Sequence, residues 1–208
     1  LLSAYSKEQV DAYVHGRFVN LTTGRVYKEF VRSEHEKERE SLELPIMGAM
    51  DFNVNAMTCI LFYKGTTWIH CFDEIRLKNS NTFEMCEVLM DKYPGIPIFP
   101  DATGKAKKSS ATESDHDIIR RAGFKIKAPR ANPPIRDRVN AVNKLIRDGN
   151  FSCYNCKHLI MDLERNVWRG GDVDKLSDPE QSHASDAIGY AINYLFPVKA
   201  KLAVSKGW

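Results

Sequence analysis

The chain has 208 residues, 43% of them hydrophobic and 27% charged, with a formal net charge of +3. That length supports a core of its own, and the composition is globular rather than disordered or fibrous. The mild positive charge permits nucleic-acid binding without demanding it, and no apolar run approaches the roughly 20 residues a membrane span needs.

Residues 1–5 lack the basic start and long apolar centre of a signal peptide. The chain begins at Leu1 rather than Met, so a fragment of a longer protein is expected. Five cysteines, at 59, 71, 86, 153 and 156, form no regular framework, which points to a reducing compartment.

The first element to expect is a hairpin. Residues 16–21 and 25–30 alternate apolar and polar around Thr22-Thr23-Gly24. Residues 33–43 are a charge run, read as a solvated linker or short helix. Three strand-like segments follow at 46–54, 56–63 and 67–75, with Lys64-Gly65 as a turn. Short connections imply an antiparallel meander. A helix starts near Asn81, with Glu84 as a capping partner. Its expected apolar face is Phe83, Met85, Cys86, Val88, Leu89 and Met90. Pro94-Gly95 ends it, and 96–99 is a short buried strand, parallel to an earlier one.

The stretch from Asp101 to Asp117 is polar. A helix over 118–122 is stopped by Gly123, and 124–128 suits a further strand. Residues 135–147 are amphipathic, with Val139, Val142, Leu145 and Ile146 on one side and Arg136, Arg138, Lys144 and Arg147 on the other. Gly149 caps this helix. Residues 151–154 form a short strand, 156–167 a helix, 170–178 a Gly- and Asp-rich loop, and 182–195 the last helix. Meander, helix, strand, helix, strand and helices is the outline of an RNase H-like α/β fold. Its sheet is central and mixed, flanked by helices, with the hairpin at the N-terminus. Residues 44–196 form the core of a single unit, 1–43 a hairpin and charged linker, and 197–208 a basic tail.

Three aspartates sit at telling places. Asp51 and Asp101 end apolar strands, and Asp186 begins the last helix. A carboxylate at the edge of an apolar strand is costly to desolvate without a cation. Each alone has an ordinary reading, as a bend, a turn or a helix N-terminal acid. Together they suit a cluster holding two Mg²⁺ or Mn²⁺ ions for an in-line displacement at phosphorus. His183, Asp186 and Tyr190 share one face of the last helix. Gly189, unfavourable in a helix, implies close packing there. His183 can orient water, ligate a metal or move a proton, or simply bond to backbone. Glu74, at the end of the third strand, is either a further metal ligand or a strand-end charge. Lys105, Lys107 and Lys108 are positioned to meet phosphates beside Asp101, or belong to a solvated loop. Arg120, Arg121, Lys125, Lys127 and Arg130 extend the positive charge, with Arg121 taken as a DNA contact.

Two apparent motifs fail. Gly104-Lys105 lacks the first glycine of a phosphate-binding loop, because Phe99 stands there and Ala106 follows the lysine. Cys153-x-x-Cys156 with His158 lacks a second metal-binding pair.

The runs His15 to Leu21, Gly48-Ala49-Met50-Asp51-Phe52, Phe72-Asp73-Glu74-Ile75, Phe99 to Gly104 and His183-Ala184-Ser185-Asp186-Ala187 resemble, in order and spacing, the C-terminal nuclease domain of the large terminase subunit of tailed bacteriophages. The resemblance covers residues 13–196. It implies an RNase H-like endonuclease that cuts concatemeric viral DNA during packaging, with Mg²⁺ or Mn²⁺ on Asp51, Asp101 and Asp186. It implies an ATPase motor domain preceding this one in the parent chain. The implied partners are double-stranded DNA, a small terminase subunit and the portal of the procapsid. The implied location is the host cytoplasm, transiently at the portal and not in the mature virion. A resolvase- or transposase-like nuclease of the same fold, and a noncatalytic DNA- or motor-docking module, are the competing readings. Weak metal binding is expected, because exposed carboxylate sites retain water.

Overall fold

The computed structural model describes residues 24–39, 43–107, 112–174 and 181–198. A single-turn helix, α1 (Arg32–His35), precedes the central sheet. The sheet opens with β1 (Ile46–Asp51), β2 (Met57–Lys64) and β3 (Ile69–Leu77), an antiparallel meander joined by short turns. Every residue of β2 from Met57 to Tyr63 is buried. Ile60 and Phe62 face one core layer, while Cys59 and Leu61 face the other. That is the period-two pattern of a strand covered on both faces.

The next segment is helix α2 (Thr82–Lys92), capped by Asn81, whose side chain accepts from the Glu84 N–H at 3.1 Å, while Glu84 accepts from the Ser80 hydroxyl at 2.6 Å instead of completing the expected capping box. β4 (Pro97–Pro100) returns parallel to β1. A 3₁₀ turn (Ala102–Lys105) leads to α3 (Asp115–Arg121), started by a capping box between Ser114 and Asp117. β5 (Lys125–Ile126) lies parallel beside β4. Then come α4 (Ile135–Arg147), β6 (Phe151–Cys153) parallel to β3, and α5 (Lys157–Arg165). A small hairpin, β7 (Trp168–Arg169) and β8 (Asp172–Val173), precedes α6 (His183–Leu195). The central sheet has the order β5-β4-β1-β2-β3-β6.

Two apolar layers enclose this sheet. Val142 and Leu145 of α4, Leu159 and Leu163 of α5, and Ala187, Ile188 and Ile192 of α6 share one cluster with Ala49, Ile60 and Phe62. Met85 and Leu89 of α2 and Ile119 of α3 share the other with Met50, Cys59 and Leu61. α6 lies over β1, β2 and β4, which sets where its side chains reach. Among the described residues no helix is long and apolar enough to cross a membrane.

The sheet and its helical layers match the expected mixed α/β architecture, with four departures. The first arm of the expected N-terminal hairpin lies outside the described residues. Its second arm is no strand: 25–30 form a turn, joined to the chain entering β7 by an isolated bridge from Arg25 to Val167 and by a bond from the Val26 N–H to the Asn166 carbonyl. The Arg25 guanidinium donates to the Phe30 and Leu163 carbonyls, folding the turn onto α5 with Val26, Tyr27 and Phe30 buried. The apolar positions there serve a compact turn rather than a sheet face. Second, Phe83 and Met90 are each 47% exposed, and Thr82 is buried in their stead. Third, Arg138 is 4% exposed, although the helix pattern put it on the polar side. Fourth, α5 stops at Arg165, short of the expected 167, and β8 lies within the stretch read as loop, paired with β7 just before it. The expected basic tail beyond residue 198 lies outside the described residues.

Candidate active site

The parallel pairing of β1 and β4 builds the first half of the site. Met50 stands opposite Pro100, so the next residue of each strand is an aspartate, and Asp51 and Asp101 leave the sheet side by side. The Asp101 N–H donates to the Met50 carbonyl at 3.0 Å, tying the two strand ends together. The second half comes from α6, which brings Asp186 and His183 over the same edge.

Each carboxylate has its own holders. Asp51 accepts from His183 Nδ1 at 2.8 Å. With that nitrogen donating, His183 Nε2 accepts from the Asn53 amide at 3.2 Å. Asp101 Oδ1 accepts from Asn132 Nδ2 at 2.6 Å and from the Thr103 N–H at 2.7 Å, and Oδ2 accepts from the Tyr190 hydroxyl at 3.3 Å. Asn132 is itself fixed, since its carbonyl oxygen accepts from the Ala102 N–H at 2.8 Å. Asp186 Oδ1 accepts from Arg138 Nη2 at 2.6 Å, with the two side chains only 5% and 4% exposed. The Arg138 guanidinium lies 4.5 Å from the Tyr190 ring centroid, so one stacked pair links the holders of Asp186 and Asp101.

The electrostatics register this convergence. Burial pushes the Asp51 carboxyl above its ordinary range. The His183 hydrogen bond opposes that rise, and the negative charges of Asp186 and Asp101 add to it. The Tyr190 hydroxyl is pushed up by burial, against the pull of Arg138, and then by the charges of all three aspartates. Asp51 thus lies within electrostatic reach of both other expected acids.

The scaffold beneath α6 is unusual. Ser182, just before the helix, has φ +80°, a left-handed conformation that L side chains rarely adopt. Asp162 on α5 secures it, accepting from the Ser182 N–H at 3.0 Å and the Ser185 N–H at 2.9 Å. Those are N–H groups at the start of α6 that the helix itself leaves unpaired. Burial pushes the Asp162 carboxyl up to about 6, against the lowering effect of these two bonds.

The other expected site residues lie elsewhere or serve other partners. Glu74 is not gathered with the three aspartates. Its oxygens accept from the His158 and Leu159 N–H groups, between 2.8 and 3.1 Å, and from His158 Nδ1 at 2.7 Å. It caps the N-terminus of α5 from the neighbouring strand, favoured by the helix dipole. Lys105 directs its amine to the Arg130 carbonyl. Lys107 is exposed, and Lys108 lies outside the described residues. Arg121 pairs with Glu113 at 2.5 Å and stacks 5.3 Å from the Phe83 ring centroid. Cys153 and Cys156 are buried thiols, pushed up by burial.

Sequence reasoning missed Arg138, Asn132, Asn53 and Asp162. A signal existed for the first: Arg138, Val142 and Leu145 fall at i, i+4 and i+7, the buried stripe of α4.

The three aspartates offer hard anionic oxygens, the donor chemistry that Mg²⁺ and Mn²⁺ prefer. Their arrangement is not a ready cage, because among the described residues no three His, Cys, Asp or Glu side chains are grouped to hold a metal ion. The reason is visible in the hydrogen bonds: Asp186 is turned to Arg138 and Asp51 to His183.

The Terminase RNaseH-like domain family model matches residues 48–195. Among solved structures, the large terminase from a thermophilic bacteriophage aligns with a TM-score of 0.69 at 20% identity, covering 92% of this chain and 50% of that one. This chain thus spans about half the length of that terminase. The nuclease domain of the phage P22 large terminase aligns with a TM-score of 0.67 at 15% identity, covering 83% of this chain and 91% of that one. The large terminase nuclease from thermophilic phage G20c, with bound cobalt, aligns with a TM-score of 0.56 at 11% identity, covering 82% and 96%. No curated protein sequence matches. At these identities the structural likenesses speak for the fold alone, whereas the family model spans most of the chain. The chain belongs to the Terminase RNaseH-like domain family.

Proposed function

We propose that this chain is the nuclease part of a large terminase, cutting concatemeric viral DNA by metal-dependent phosphodiester hydrolysis. The observation that carries the reading is the side-by-side exit of Asp51 and Asp101 from parallel strands, with Asp186 brought over them by α6. The cobalt bound to the G20c nuclease supports the use of a divalent metal. Asp51, Asp101 and Asp186 would hold Mg²⁺ or Mn²⁺. Two such ions, when bound, would supply an activated water and stabilise the leaving 3′ oxygen.

The chain's own residues do the positioning. Asn132, the Thr103 N–H and Tyr190 hold both oxygens of Asp101. His183 orients Asp51 through Nδ1 and is itself held by the Asn53 amide, which donates to Nε2. Lys105 and Lys107, directly after Asp101, are the candidate contacts for a DNA backbone; they would bind without reading sequence. Residues 44–196 would form the catalytic core of a longer chain carrying an ATPase motor. The motor, the small terminase subunit and the portal would be its partners, in the host cytoplasm.

A second reading, a noncatalytic docking module, is favoured by one observation: Arg138 already neutralises Asp186. Plasmid nicking with Mn²⁺ separates the two. Wild type should nick, and Asp51→Ala, Asp101→Ala and Asp186→Ala should each lose activity by at least about a hundredfold. Equal nicking by all four proteins, or none by wild type, would remove the nuclease reading.

A further inference from the structure

We propose that Arg138 is a built-in competitor of the divalent ion, neutralising Asp186 until metal displaces it. The inference rests on the nuclease reading above.

Arg138 comes from α4, 48 residues before Asp186 in sequence. Its charge is nevertheless buried against one member of the acidic cluster, at 2.6 Å, beneath the Tyr190 ring. An arginine guanidinium keeps its positive charge throughout the ordinary pH range. At the pH where carboxylates are ionised, the site therefore carries a cation of its own.

The fold makes special room for it. Gly189 sits in the interior of α6, where glycine is the least favourable residue short of proline. A Cβ there would stand 2.7 Å from Arg138 Cγ and 2.8 Å from Cδ. The glycine is the socket for the arginine stem. The Arg138 Nε is buried and finds no hydrogen-bond partner among the described residues. A side chain seated only to stabilise the fold would be expected to satisfy that donor. Here the guanidinium is anchored through its contact with Asp186 and the Tyr190 face, which makes it releasable.

Arg138 holds Asp186 Oδ1, so a divalent ion on the same carboxylate would stand beside a buried guanidinium, and like-charge repulsion weakens its binding until the arginine moves away. Weak metal binding was expected from exposed carboxylates. Asp51 and Asp186 are in fact 7% and 3% exposed, so weak binding, if measured, would come from competition by Arg138 rather than from exposure.

Equilibrium Mn²⁺ binding, followed by electron paramagnetic resonance without DNA, tests this on the whole chain. Arg138→Met should bind Mn²⁺ at least about tenfold more tightly than wild type, since it removes a cation adjacent to the site. Arg138→Lys should remain within a few fold of wild type. Folding is checked by near-ultraviolet circular dichroism. Unchanged or weaker binding by folded Arg138→Met would overturn the competitor role and leave a structural clamp.

A second measurement needs no variant at Arg138. In ¹⁵N spectra of wild type, the Arg138 Nε–H signal should lose its protection from exchange as Mg²⁺ saturates the protein. A signal unchanged at saturation would also overturn the proposal. If the aspartate variants abolish nicking while Arg138→Met fails to tighten binding, only this inference falls. If wild type and Arg138→Met both bind no Mn²⁺, the nuclease reading falls with it.

Discussion

Replacing Gly189 with alanine tests whether α6 gave up helix stability to admit Arg138. In an open helix the change would stabilise by about 1 kcal/mol, the ordinary difference between the two residues. Here the new methyl would lie 2.7 Å from Arg138 Cγ and 2.8 Å from Cδ. These atoms are the middle of a buried stem, not a free tip, so the side chain cannot swing aside locally. Overpacking of this kind costs about 1–3 kcal/mol. If the guanidinium is pushed off Asp186, a broken buried pair adds about 3–5 kcal/mol. Allowing for the propensity gain of about 1 kcal/mol, Gly189→Ala should destabilise by about 3–7 kcal/mol in urea unfolding if the pair breaks, and by up to about 2 kcal/mol if it holds. The same substitution in an Arg138→Ala/Asp186→Asn background should change sign, because clash and ion pair are both gone, and stabilise by up to about 1 kcal/mol. A wild-type or raised midpoint for Gly189→Ala alone would refute the socket argument.

Further outcomes follow from other contacts. Gly104 lies against Phe52, and a Cβ there would meet the ring at 2.2 Å. Gly104→Ala should therefore shift the turn that carries the Thr103 N–H to Asp101, lowering stability by about 1–3 kcal/mol; an unaltered unfolding midpoint would show that the ring yields freely. Glu74→Gln should cost about 1–2 kcal/mol by weakening the start of α5, while leaving Mn²⁺ affinity as it was. A large drop in affinity would restore Glu74 as a ligand. Asp162 gives a pH dependence of defined sign. Its folded pKa, about 6, lies above the ordinary 3.8, so the folded state binds the proton more tightly. Stability contributed by this group is fullest below about pH 4 and declines by up to about 3 kcal/mol as pH rises to about 6. Asp51 is shifted in the same direction, so Asp162→Asn should flatten that slope without abolishing it. A slope identical to wild type in thermal melts across pH 4–7 would contradict the assignment.

Much of the frame was legible because it follows from period and punctuation. The meander showed in closely spaced apolar runs, and α2 in Asn81 followed by Glu84. The bounds of α4, Ile135–Arg147, fell where the amphipathic pattern put them. The placement of Asp51 and Asp101 followed from strand ends. What escaped was set by contacts between elements far apart in sequence. Glu74 looked like a strand-end acid near the metals, yet α5 needed an acceptor for its first N–H groups and Glu74 was within reach. Asn132 could not be tied to Asp101 without knowing that the loop before α4 returns beside β4. Residues 25–30 carried a hairpin pattern, but their apolar side chains found a better site beneath a turn bound to α5.

Arg138 is the most instructive miss, because charge and position pointed opposite ways. By type it belonged on the wet face of α4; by spacing it shared the stripe of Val142 and Leu145. A buried arginine is tolerated only when an acid waits for it, and that acid is Asp186. Gly189, noticed in the sequence as a sign of close packing, is the other half of the same pair. Read together, a glycine three residues after an acid on a buried helix and an arginine on the apolar stripe of another helix form one testable pattern. The acid of such a pair is not simply available to a metal, because its charge is already balanced. In this fold the strength of metal binding would then be set less by the number of aspartates than by how readily α4 releases its guanidinium.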